Sequence, residues 1–143
     1  MTVDKERVQL LVDALESGVY RQTNAKLCKI IDDEQMFCCL GVACEVAIAN
    51  GLNILVTDPG NTSRAVAYNG ETAYLPEEVR DWYGFEYVDP ALYIDFVIHP
   101  GEDPTEHESS ATKANDKYHK TFAQIAAAFR RTYLQEEPTD GQS

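Results

Sequence analysis

Twenty-four acidic side chains against twelve basic ones leave this 143-residue chain a net charge of −12 at pH 7, a surface that repels phosphate backbones and argues against direct binding of DNA or RNA. With 44% apolar and 25% charged residues, the composition is that of a folded globular protein, and the length suits one core that needs neither disulfides nor a structural metal. The charged start, Met1 to Arg7, lacks the apolar segment of a secretory leader, and the longest apolar stretch, from Leu40, is broken by Glu45 and Gly51. A cytoplasmic protein without membrane contact is predicted, with its four cysteines as thiols.

In chain order, Val8, Leu11, Val12 and Leu15 have the spacing of one helix face, with Thr2 expected as N-cap and Gly18 as the stop. The runs "KLCKII" and "QMFCCL" predict a hairpin turning at Asp33 and Glu34, which would set Cys28 opposite Cys39. From Leu40 to Asn50 the residues are small and apolar on nearly every face except Glu45, as in a helix enclosed by the fold and capped by Gly51. Asn69-Gly70 predicts a second hairpin between Ala65–Tyr68 and Glu71–Leu75. Pro76 opens a short helix through Val79 and Trp82 that stops at Gly84. "ALYIDFVI" alternates as a strand, with Leu92, Ile94, Phe96 and Ile98 on one face and Tyr93, Asp95 and Val97 on the other. "HPGEDPTEHESS" reads as an exposed acidic loop. Thr121 to Gln124 form a capping box before a helix with the face Phe122, Ile125, Ala126, Phe129 and Tyr133. The fold expected is α+β: a single small domain over residues 1–135, with N- and C-terminal amphipathic helices and a buried central helix packed on a small antiparallel sheet. A polar tail follows from residue 136.

Three of the four cysteines fall in "CCLGVAC", residues 38–44. Zinc sites pair ligands from one tight turn, whereas adjacent cysteines point well apart on a strand or a helix, and no C-x-x-C occurs. Buried small hydrophobes are the reading that fits, with Cys44 beside Leu40 and Ala47. His99, Glu102, Asp103, Glu106 and His107 carry metal-ligating groups but match no metal motif. The chain has no Walker loop, G-x-G-x-x-G, G-x-S-x-G or H-E-x-x-H. No catalytic residue, metal or cofactor is assigned.

Most of the acidic excess lies in residues 76–108, where ten acids face Arg80 alone. Among them, Glu86, Asp89, Asp95, Glu102, Asp103, Glu106 and Glu108 interleave with Trp82, Tyr83, Phe85, Tyr87, Tyr93 and Phe96. Acids in loops keep a small protein soluble and aromatics fill cores, but the same residues suit a recognition surface for a basic protein.

Four stretches, "ALESGVYRQTNAKL" (14–27), "CCLGVAC" (38–44), "LPEEVRDWYG" (75–84) and "ANDKYHKTFAQIA" (114–126), resemble a family of uncharacterised small proteins of tailed bacteriophages, especially those of actinobacteria. Cys28 and the acidic stretch from Tyr87 to Ser110 depart from that pattern. The resemblance implies no activity, but it implies a phage accessory protein, and such proteins act by binding host machinery. The leading expectation is therefore an inhibitor of a host or anti-phage defence protein, acting through the acidic region 76–108 as a mimic of DNA charge. A second reading is sequestration of a small nucleotide-like ligand in a pocket of Tyr20, Gln22, Arg64, Asn115 and Asp116. A third is an enzyme using Cys39 or a histidine-carboxylate site in the acidic loop.

Overall fold

The computed structural model describes residues 2–58, 65–96 and 100–134. Helix α1, Lys5–Glu16, buries Val8, Leu11, Val12 and Leu15 as their spacing requires. Its N-cap is Asp4 and not Thr2: the Asp4 carboxylate accepts from the Arg7 N–H at 3.1 Å. Thr2 is used elsewhere, because residues 2–4 lie against the end of the third helix, where the Asp4 N–H donates to the Tyr83 carbonyl. Thr2 approaches Gly84 so closely that a side chain there would stand 2.2 Å from its carbonyl oxygen.

Strands β1, Cys28–Ile31, and β2, Glu34–Phe37, form the expected hairpin with a shifted turn. Asp32 and Asp33 both take positive φ, +52° and +64°, as a two-residue primed turn demands. The register therefore sets Cys28 opposite Phe37, not Cys39. Cys39 instead opens helix α2, Cys39–Ala49, and its thiol donates toward the Ala111 carbonyl at 3.6 Å. Helix α2 is buried almost throughout, and Gly41 lets it press on the backbone of Leu27, just before β1: a methyl there would stand 1.8 Å from the Leu27 carbonyl oxygen. Asn50 caps the helix and Gly51 follows with φ +103°.

Strands β3, Val56–Thr57, and β4, Ala65–Tyr68, complete an antiparallel sheet in the order β2-β1-β4-β3. The Asn69-Gly70 turn is present, with φ +51° and +86°, but the strand expected over Glu71–Leu75 shrinks to one bridge, Tyr68 to Glu71. The edges of β4 are taken by β1 and β3 instead, so the returning segment leaves the sheet. Helix α3, Glu77–Tyr83, starts after Pro76 and ends on a left-handed Gly84.

Strand β5, Ala91–Phe96, pairs along its whole length with β6, Thr105–Ser110. The acidic segment read as a loop is thus half strand. Its exposed, polar residues hide the alternation that marks a half-buried strand, and β5 supplies the pairing. Val97, Ile98 and His99 lie outside the described residues. A π-helical turn over Lys113–Lys117 precedes α4, Phe122–Phe129, whose Thr121/Gln124 capping box is formed. The chain continues as a second π-helical turn, Arg130–Leu134. Helices α1 and α4 pack together beside the enclosed α2, and the shared core includes Tyr83, Phe85 and Phe129, with Phe85 and Tyr83 stacked at 5.2 Å. The result is one small α+β domain with two antiparallel sheets. The tail from residue 136 lies outside the described residues.

Candidate functional site

Alternation gives the β5–β6 ribbon two unlike faces. Leu92 and Ile94 turn inward and are buried, while Tyr93 and Asp95 turn outward. Cross-strand pairing puts Glu108 opposite Tyr93 and Glu106 opposite Asp95, so one outward face carries three carboxylates and a tyrosine 43% exposed. Two directly opposed carboxylates repel. Arg131 relieves this from the turn after α4: its guanidinium meets Glu106 at 2.8 Å and Asp95 at 3.9 Å, and donates to the Tyr93 carbonyl at 2.8 Å.

The other acids singled out from the sequence gather nearby. Asp89 is spent on structure, since its carboxylate accepts from the Thr112 N–H and hydroxyl at 2.9 and 2.6 Å. Burial first, and then the negative charges of Glu108, Glu86 and Asp89, push the Tyr133 phenol up to about 12. These three acids therefore lie within electrostatic reach of one side chain, which donates to the Ala91 carbonyl at 2.6 Å. Glu102 and Asp103 are exposed just before β6. Of the aromatics, Tyr83 and Phe85 belong to the core and Trp82 is half-buried under the Arg7 guanidinium, 4.4 Å from the ring centre. Tyr87 is 58% exposed and joins Tyr74, Arg80, Glu86, Val88 and Asp89 around an open cleft of about 490 Å³. The side chain of Phe96 lies outside the described residues.

Of the second group of predicted residues, Gln22, Asn115 and Asp116 come together, around the Asn115 side chain, which is polar and 3% exposed. Its Oδ1 accepts from Gln22 Nε2 at 2.9 Å and from the Cys39 N–H at 3.3 Å. Its Nδ2 donates to the Thr23 carbonyl and to Asp116 Oδ1, both at 2.8 Å. Gln22 also donates to the Lys120 carbonyl at 2.8 Å. Asn115 thereby caps α2 from a distance, where Cys38 makes no side-chain cap bond. A polar cleft of about 230 Å³ opens beside it, lined by Gln22, Thr23, Asn24, Asn115, His119, Lys120 and Thr121. Gln22, Asn115 and Asp116 are legible as candidates in the sequence, whereas Thr23, His119 and Lys120 are marked only by the folded juxtaposition. Tyr20 packs edge-on against Phe37 at 5.3 Å, and Arg64 lies outside the described residues.

All four cysteines are free and buried. Burial pushes Cys28 up to about 11 and Cys38 up to about 12, and holds Cys39 and Cys44 well above the ordinary thiol value. Such thiols are neutral and weak as nucleophiles. Among the described residues no group of three or more His, Cys, Asp or Glu is placed to hold a metal ion, and no helix is long and apolar enough to cross a membrane.

The fold and the site together define a small α+β domain that presents an acidic two-stranded ribbon. The chain belongs to the family described as Domain of unknown function (DUF8296), which it matches over residues 4–133. No curated protein and no solved structure matches it.

Proposed function

We propose that this chain is a phage-type accessory protein that binds a basic surface of a host protein, such as a DNA-binding or anti-phage defence factor, through the acidic ribbon. The observation that carries the reading is the clustering of Asp95, Glu106 and Glu108 with Tyr93 on one outward face, with Glu102 and Asp103 exposed at its end. Desolvated tyrosine supplies contact energy and the carboxylates supply steering and choice of partner. The buried Asn115 cluster supports the ligand reading less, because the amide groups of Asn115 and the Gln22 nitrogen are already bonded to the protein itself. The test is capture of partners from an actinobacterial host lysate with wild type and with Glu102→Lys, Asp103→Lys and Glu108→Lys combined, which leaves Arg131 its two carboxylates. The expected result is one partner retained by wild type at low salt, released as salt rises, and lost by the variant. Equal recovery by both proteins rejects the reading.

A further inference from the structure

The two edges of the β5–β6 ribbon are treated differently. At β5 the Tyr93 N–H donates to Thr132 Oγ1 at 3.0 Å, the Tyr93 carbonyl accepts from Arg131, and the Ala91 carbonyl accepts from the Tyr133 hydroxyl. The helix end after α4 thus closes that edge with side chains. Because the N–H and C=O of Tyr93 point away from β6, the Tyr93–Glu108 pair is non-hydrogen-bonded, and so by alternation is Asp95–Glu106. The backbone N–H and C=O of Glu106 and Glu108 therefore point outward from the ribbon. Among the described residues no strand pairs with that side of β6, and Glu106 and Glu108 are exposed.

We propose that this edge of β6 docks an extended basic segment of the partner, which adds to the ribbon as a third strand. The inference rests on the acidic-ribbon reading and specifies its mode: main-chain hydrogen bonds give affinity, and side chains at alternate positions give selectivity. Residues of the incoming strand on the outward face lie beside Glu106 and Glu108, so they are Lys or Arg with a period of two. Six residues of β6 span roughly 20 Å, enough for a short segment of that kind. A second copy of this chain is the wrong occupant, since antiparallel self-pairing along β6 would bring the glutamates of the two copies together, and like charges across strands destabilise.

The probe is a synthetic peptide alternating lysine and threonine, compared with two versions N-methylated on every second residue, one in each phase. Successive N–H groups of a strand point to opposite edges, so one phase blocks the bonds to β6 and the other spares them. The parent peptide is expected to bind at low salt and to slow amide exchange at Glu106 and Glu108, and one methylated phase is expected to bind roughly tenfold or more weakly than the other, a loss of one or two main-chain hydrogen bonds. Equal binding by both phases, unprotected Glu106 and Glu108 amides, or no binding of the parent peptide overturns strand addition. So does protection at these amides that grows with the chain's own concentration, which would make a second copy the occupant. The triple lysine variant reports on the acidic surface separately: binding that it abolishes but that N-methylation leaves intact keeps the surface reading and removes this one.

Discussion

Asn115 shows how one side chain can hold three segments that are distant in sequence. Both of its amide atoms are used twice, joining the 22–23 segment, the first turn of α2 and the chain entering α4. Asn115→Ala would strand the Thr23 carbonyl and the Cys39 N–H, and a loss of about 3 kcal/mol is expected in urea unfolding. Asn115→Asp keeps an acceptor for Cys39 and Gln22 but turns an acceptor on the Thr23 carbonyl and on Asp116, so it should be no milder than alanine. The thiols give a second check. Their folded values lie above the ordinary thiol value near 9, so the unfolded chain ionises first as pH rises. The stability they contribute is complete below about pH 8 and drains away between about pH 9 and 12. A thermal midpoint that falls across that window, with slow alkylation of native protein at neutral pH, is expected; fast native labelling of Cys39 or Cys44 would mean an open site. Little of this was legible beforehand: "CCLGVAC" announces a buried element, but its remote capping partner is 76 residues away from Cys39.

At the scale of elements, what local chemistry dictates was readable and what pairing dictates was not. The Val8 to Leu15 face, the Thr121/Gln124 box, the Asn69-Gly70 turn and Gly84 as a stop all follow from spacing or from a residue's own φ preference. The missing strand after Gly70 and strand β6 depend on which edge another strand occupies, which composition does not encode locally, and the Cys28 register depends on the turn falling at Asp32-Asp33, one residue earlier than the polar run suggests. The ribbon offers a test of its own construction. Arg131→Ala removes the cation between Asp95 and Glu106 and the donors on the Tyr93 carbonyl, and a loss of about 1 to 2 kcal/mol is expected. Adding Glu106→Gln should restore part of that loss by ending the carboxylate repulsion, as a double-mutant cycle in urea would show. A cycle with no coupling would mean that Arg131 acts through its backbone contact alone.

For the whole molecule, the net charge of −12 acquires a geometry. The acids of residues 76–108 are not uniformly available: Asp89 holds Thr112 and Glu106 is paired with Arg131, while Glu102, Asp103 and Glu108 are exposed. Helix α4 packs against β5 and joins the ribbon to the core. Native mass spectrometry of the chain purified at low salt from the cells that produce it tests the acidic-ribbon proposal most directly. A complex of the chain with a second protein, dissociating as salt is raised, is the predicted result. A lone chain, or one carrying only a small-molecule adduct, would contradict it.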